Sequence, residues 1–553
     1  MGGPADCFLG VRPFALLALL CLLLYLPGIA AIPPLDRDEA RFAQATRQML
    51  ESGDFLRIRF QEEARNNKPA GIYWLQAAAV SAFSTPEATA IWPYRVPSLL
   101  GAIAAVLLTF GMGAALYRDE EARRRAAIAA VLLGSALATV AEAHIAKTDA
   151  ALLAAVIAGQ GALGLAYVSA RASRPLPVSV AVLFWTAELA AIFLKGPLGP
   201  GLATLTAAAL SIADRDWRWL RGLHPAAGIA FVVAALAPWL IAIERVTEGR
   251  FLAAALGHDL MGKLTGAQEL HGAPPLSYLA LLPATFWPGS LVLVPSIVRG
   301  WRRRDSAVER FLLAWLVPAW VGLELVPTKL PHYVLPLLPA LALLSAAALA
   351  DGVGLALGTW TRRLDHLVRA AWAAVGVILA VLLIGLPLWF GDHLAIAGIA
   401  GAVLVLALTA AVLWYRPGPA LTTAAIAALS LAFALPAGEG VVPGLDRLWL
   451  SRAASGLVAR HPPAKGAPIV AVGYGEPSLV FLLGTNLRLL TSQAAAQALA
   501  GGGEAIVRRR DAAMFRRVVI AQGLRVQPEG SVSGLDYSNG QSLVLTLYDV
   551  APH

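Results

Sequence analysis

Runs of about 20 apolar residues recur along this chain, and each is long enough to cross a hydrocarbon core about 30 Å thick as a helix. They fall at roughly 14–31, 92–117, 126–143, 149–170, 178–195, 197–213, 226–245, 276–298, 309–326, 332–350, 368–390, 394–415 and 419–437. Lipid is the one solvent in which thirteen such runs are at ease, and there a helix satisfies its own backbone hydrogen bonds. Composition agrees: 58% of residues are hydrophobic and 14% charged, with a mean hydropathy of +0.66, whereas soluble domains carry about 25% charge. The expected fold class is an all-α polytopic membrane protein with about 13 transmembrane helices. The stretch 71–83 is too short to cross and either lies at the interface or re-enters. Cys7 and Cys21 have no metal-ligand spacing and define no disulfide framework.

A net charge of +9 would suggest nucleic acid in a soluble protein. Here the arginines gather in short loops, around 117–125, 171–174, 215–221, 299–310 and 362–369, where they orient spans, so no nucleic acid is implied. The loops between them are poor in arginine. By the positive-inside rule the amino terminus and the arginine-rich loops are cytoplasmic, and an odd span count leaves the carboxyl terminus outside. The first run ends in Ile32-Pro33-Pro34 without a small-residue cleavage pattern, which favours an uncleaved anchor. Residues 1–437 therefore read as a transmembrane domain with a first outer loop over 32–83. Residues 438–553 read as a small outer-face α/β domain, with short strands expected at 467–475, Ser478–Leu483, Arg517–Ile520 and Leu543–Tyr548, and a hairpin signalled by Asn539-Gly540.

The unusual polar residues share the outer side. Asp36, Asp38, Glu39, Arg41 and Lys68 lie in the first outer loop, His144, Lys147 and Asp149 in the next. Lys195 precedes Gly-Pro; His258, Lys263 and His271 occupy a later loop; Lys329, His332 and Tyr333 follow. Carboxylates that accept a proton, beside lysine, arginine and histidine that hold a phosphate, suit chemistry on an anionic substrate embedded in the outer leaflet. Each residue also has a plain structural reading. Asp38 fits the start of an amphipathic helix over 39–50, Asp149 a helix cap, Lys195 and Lys329 snorkelling to headgroups, and the loop histidines simple solvation. A divalent metal is left open, with His258 and His271 as its candidates. No other cofactor is indicated.

The run Asp-Arg-Asp-Glu-Ala-Arg-Phe at 36–42, then Asn67-Lys68-Pro69 and Tyr73-Trp74-Leu75-Gln76, resembles the first outer loop of bacterial lipid-linked-sugar glycosyltransferases of the aminoarabinose transferase and protein-mannosyltransferase-like superfamily. The resemblance continues through Arg95-Val-Pro-Ser98, Lys147-Thr148-Asp149, Leu194-Lys195-Gly196-Pro197, 282–288 and 328–336, covering most of 14–350 in order. It implies the C-type glycosyltransferase fold and a multi-pass protein of the bacterial inner membrane with its active site on the periplasmic face. A sugar would pass from a polyprenyl-phosphate donor to a lipid such as lipid A, a glycan or a protein. It also implies that Asp38 is the general base, with Glu39 as its understudy, that Asp149 supports the site, and that Arg41, Lys68, Lys329 and His332 lie near the lipid phosphate. Lys195, Lys263 and Tyr333 join that phosphate set by position. Phe42 stands where the family commonly has tyrosine, and Asn67-Lys68-Pro69-Ala70 replaces an acidic-Lys-Pro-Pro run. A transporter or flippase of lipid-linked sugars is the alternative; such proteins carry inverted repeats and mid-membrane breaks, and no internal repeat is visible in this sequence.

Overall fold

The computed structural model describes residues 4–66, 68–254, 272–352 and 357–552. Among them, all thirteen apolar runs are helical, but eight helices are long and apolar enough to cross a membrane, or up to ten if each of two bent pairs is one span. The runs that fall short are instructive. The apolar part of the first helix, Arg12–Tyr25, and the helix Leu198–Asp214 are brief, and Ala307–Leu325 carries Glu309, Arg310 and Glu324.

Breaking a helix inside a membrane strands backbone groups that lipid cannot satisfy. Ala122–Ser135 and Leu137–Ala143 meet at 62°, and Ser277–Thr285 and Gly289–Arg302 at 115°. The two breaks lie against each other. The Leu137 amide donates to the Trp287 carbonyl at 2.8 Å, Ser430 Oγ to the Ser135 carbonyl at 2.9 Å, and Trp372 Nε1 to the Pro288 carbonyl at 2.9 Å. The first break thereby turns Glu142 and the loop after it toward the site described below.

Small residues let the helices approach closely, as is usual where packing rather than water drives association. A Cβ on Gly101 would lie 2.6 Å from the Ala151 Cα, so the helices Trp92–Tyr117 and Asp149–Arg171 touch backbone to backbone. The helix Leu338–Ala350 runs through the centre, buried along nearly its whole length.

The first long loop carries the helix Asp38–Ser52, a two-residue hairpin of β1 (Arg59–Phe60) and β2 (Glu63–Ala64), and the short helix Gly71–Phe83. The carboxyl-terminal region is a five-stranded sheet. Its strands are β3 (Ile469–Val472), β4 (Arg488–Leu490), β5 (Gly503–Arg508), β6 (Leu524–Asp536) and β7 (Gln541–Pro552), in the order β4-β3-β5-β7-β6. β3 pairs parallel with β4 and β5, while β7 runs antiparallel to β5 and β6. The expected hairpin is present: Asp536 pairs with Gln541, and Gly540 takes φ +68. Two expected strands are helices instead, Pro477–Leu483 and part of Arg509–Ala521. A short apolar run has no readable period, and Pro477 in the first turn with Gly484 at φ +98 frames a helix. In the second, Phe515 and Val519 are the buried residues, four apart as a helix requires.

Gly101→Leu should force the two touching helices apart. Overpacking of this kind costs about 1–3 kcal/mol, so thermal unfolding of the purified protein should shift down by several degrees; an unchanged midpoint would mean that the helix pair tolerates separation.

Candidate active site

After the first helix ends at Tyr25 the chain turns through 26–32 to Pro33 and Pro34, and the turn that follows is anchored by a charge taken fully out of water. Glu39 and Arg95 have side chains with no exposure at all. Glu39 Oε1 accepts from Arg95 Nε at 2.8 Å and from the Ala146 amide at 2.7 Å. Its Oε2 accepts from Arg95 Nη2 and from the Leu35 amide, both at 2.8 Å. Arg95 Nη1 donates to the carbonyls of Ile29 and Ile32 at 2.8 and 2.7 Å, and Nη2 also to that of Pro33 at 3.0 Å. All five guanidinium N–H groups are used, which is the condition under which a buried ion pair is tolerated. One turn further along the same helix, Ser98 Oγ donates to the carbonyls of Ile145 and Lys147 at 2.7 and 3.1 Å. One helix end thus fixes both the 29–39 loop and the 144–148 loop.

Asp38 is the neighbour of this anchor and differs from it in every respect. It opens the helix Asp38–Ser52, it is exposed, and no hydrogen bond or ion pair holds its carboxylate among the described residues. Its charge still reaches Lys147 and His332. The residue before it, Arg37, takes φ +63, a conformation costly to a side-chain-bearing residue. Contacts from the carboxyl-terminal region secure it: Arg37 Nη2 donates to the Ser538 carbonyl at 2.5 Å, the Asp36 amide to Tyr537 Oη at 2.7 Å, and the Ser478 amide to Asp36 Oδ1 at 3.3 Å. Burial raises the pKa of Asp36. Burial, with the charges of Asp36 and Asp536, also pushes Glu476 up to about 7.

A buried cluster of opposite charges sits where several elements end. Lys147 Nζ lies 2.9 Å from Glu142 Oε1 and 3.6 Å from Asp149 Oδ2. Lys195 Nζ, at the end of its helix, is 2.6 Å from Asp149 Oδ1. His332 is 3.9 Å from both carboxylates, through Nδ1 to Glu142 and Nε2 to Asp149, and the Tyr333 ring centre is 5.5 Å from Lys195 Nζ. Burial opposes charge on Lys147, yet Glu142 and Asp149 outweigh it, with a further pull from Asp38, and hold the ammonium above its ordinary range. Asp149 begins its helix, where the macrodipole also favours a negative group. Glu142 Oε2 has no hydrogen-bond partner among the described residues.

Asp149, Lys195, His332 and Tyr333, read from the sequence, therefore meet, and Lys147 joins them. Glu142 was missed; its one legible signal is a carboxylate near the end of an apolar run. Lys329 is buried close by in sequence, but its Nζ donates to the carbonyls of Ala273 at 3.2 Å and Val326 at 2.6 Å. Arg41 stands apart from the cluster, on the wall of a cavity of ≈ 1040 Å³ between the β1–β2 hairpin and the edge of the sheet. Lys68 is half-buried ahead of the helix Gly71–Phe83. Lys263, His258 and His271 lie outside the described residues. Among the described residues no group of three or more His, Cys, Asp or Glu could hold a metal ion.

Glu39, offered by the sequence as an understudy to Asp38, has its oxygens committed to the anchor. Arg95→Met should leave that carboxylate buried and unpaired and lower stability by about 3–5 kcal/mol, and Glu39→Leu added to it should recover most of the loss. Thermal unfolding reads both; an Arg95→Met protein as stable as wild type would remove the pair from its anchoring role.

No protein-family profile matches the chain. It is 28% identical over 337 residues to the undecaprenyl phosphate-alpha-4-amino-4-deoxy-L-arabinose arabinosyl transferase of Pseudomonas aeruginosa (strain UCBPP-PA14), covering 60% of this chain and 59% of that one. To the enzyme of the same name from Erwinia tasmaniensis it is 27% identical over 412 residues, 74% of this chain and 71% of that one. The chain thus spans under two thirds of the length of the Pseudomonas relative. Among solved structures, ArnT from Cupriavidus metallidurans bound to undecaprenyl phosphate superposes with a TM-score of 0.71 at 19% identity, over 97% of each chain. Its apo state gives 0.70 at 19% identity, over 99% of this chain and 98% of that one. The chain is a multi-pass membrane protein with the C-type glycosyltransferase fold of ArnT, and in sequence as in fold it is similar to the undecaprenyl-phosphate aminoarabinose transferases, the resemblance its first long loop implied.

Proposed function

We propose that this protein is an integral-membrane glycosyltransferase that moves a sugar from a polyprenyl-phosphate carrier to an envelope acceptor such as lipid A, on the periplasmic face of a bacterial inner membrane. The names of its relatives point to an aminoarabinose donor carried on undecaprenyl phosphate. The observation that carries the reading is the exposed Asp38 carboxylate, rigidly mounted beside the buried Glu142–Lys147–Asp149–Lys195 cluster.

The chemistry divides along that line. An acceptor hydroxyl attacks the anomeric carbon, Asp38 takes its proton, and the bond to the phosphate oxygen breaks with the electron pair leaving on the lipid phosphate. One displacement inverts the anomeric centre. The leaving phosphate gathers charge as the bond breaks, and fixed cations in a dry site stabilise it there. Lys195, His332 and Tyr333 are the proposed phosphate side, with Asp149 keeping the lysines aimed; Lys68, Lys329, Arg41 and Lys263 remain candidates for the same side. The residues 438–553 are proposed as an outer domain whose hairpin steadies the loop before Asp38.

Asp38→Asn keeps the shape and cannot accept a proton. With purified protein and a labelled polyprenyl-phosphate sugar, transfer should fall at least about 10²-fold while the unfolding midpoint holds, and activity within a few fold of wild type would take Asp38 out of the base role.

Orientation is tested independently of chemistry. In a Cys7→Ser/Cys21→Ser background, Ser52→Cys and Ser542→Cys should react with a membrane-impermeant thiol reagent in intact spheroplasts, and Ser306→Cys only after lysis. Protection at Ser52 alone or at both sites would put the loop on the wrong side for this mechanism; protection at Ser542 alone would mean an odd number of crossings between them.

A further inference from the structure

The helix Leu338–Ala350 leads away from His332 toward a second polar cavity, roughly 25 Å along at 1.5 Å per residue. There the helix Thr359–Phe390 begins and Ile396–Tyr415 ends, leaving a space of ≈ 820 Å³. One wall is charged: Arg362, Asp365, His366, Arg369 and Arg416. The other is apolar, with Val292, Pro295 and Val412 among its residues. Three arginines face one aspartate. Arg369 Nε donates to Asp365 Oδ2 at 2.7 Å, while no carboxylate pairs with Arg362 or Arg416 among the described residues. Asp365 is 8% exposed, and its other oxygen, Oδ1, is buried without a hydrogen-bond partner in the described structure.

These features ask for a particular ligand. The excess of arginine calls for an anion, and a planar guanidinium fork matches phosphate. A free phosphate would leave the apolar wall bare, whereas a lipid covers it. The orphaned Asp365 oxygen needs a donor from the same molecule, and a hydroxyl supplies one without adding a positive charge beside the arginines. We propose that this cavity binds an anionic glycerophospholipid with a hydroxylated headgroup, phosphatidylglycerol being the simplest. Its phosphodiester lies against Arg362, Arg369 and Arg416, its headgroup hydroxyl donates to Asp365, and its acyl chains follow the apolar wall. Basic pockets between membrane helices are a recurrent form of lipid site. In the orientation proposed above it opens to the cytoplasmic leaflet, at the far end of the bundle from the sugar-transfer site.

Native mass spectrometry of the full chain in detergent, titrated with dioleoyl phosphatidylglycerol, tests this directly. Wild type should retain one lipid that Arg362→Gln/Arg416→Gln binds about tenfold more weakly, with the unfolding midpoint unchanged because neither arginine is in an ion pair among the described residues. Dioleoylglycerol, which lacks the phosphate, and inorganic phosphate, which lacks the chains, should both fail to displace it. Equal retention by the double variant, or displacement by dioleoylglycerol, would overturn the site; displacement by inorganic phosphate would make it a free-anion site instead. In wild type alone, phosphatidylglycerol with a photoreactive acyl chain should label peptides within 291–295 or 405–422, and labelling confined to other helices would also overturn it.

Discussion

A carboxylate and a guanidinium with no solvent contact hold the first long loop in place. The Glu39–Arg95 pair joins the loop 29–39, the helix Trp92–Tyr117 and the loop 144–148, and its position in a lipid-embedded bundle makes partial satisfaction expensive. Because every donor of Arg95 is used, the loop has little freedom to slide. That rigidity is useful next door. Asp38 is mounted on the first residue of a helix whose second residue is the anchor, so an exposed carboxylate inherits the precision of a buried one.

The cluster behind it follows a different logic. Lysine and carboxylate alternate through Glu142, Lys147, Asp149 and Lys195, so the buried charges lie against opposite partners, and the carboxylates hold the Lys147 ammonium above its ordinary range. An anionic ligand arriving here would meet ammonium groups already aimed, at no further cost of ordering. The carboxyl-terminal sheet contributes on the other flank. Its hairpin carbonyl and tyrosine hydroxyl hold Arg37 and Asp36, and so support the strained turn at Arg37.

The apolar runs were legible because helix length against bilayer thickness is a local count, about 1.5 Å per residue. Part of the polar cluster was legible as well: the arginine-poor loops held Lys147, Asp149, Lys195 and His332, which the structure brings together. What fell short had physical reasons. Runs such as Leu198–Asp214 are helical yet brief, a distinction that apolar composition blurs. Ser478–Leu483 and Arg517–Ile520 are too short for a period of 2 to be told from 3.6.

Sequence alone thus determined the solvent this chain folds in, where its apolar helices lie, and which loop carries the candidate base. Only tertiary structure decided which carboxylate of Asp38-Glu39 is buried in an ion pair and which is left exposed: the two are adjacent and chemically alike, and the difference is that Arg95, 56 residues away, reaches one and not the other. Glu142 likewise acquired its partners through a helix break whose stranded amide is satisfied by Trp287. Pairings across such separations depend on how helices cross and where they bend, and neither is written in the local order of residues.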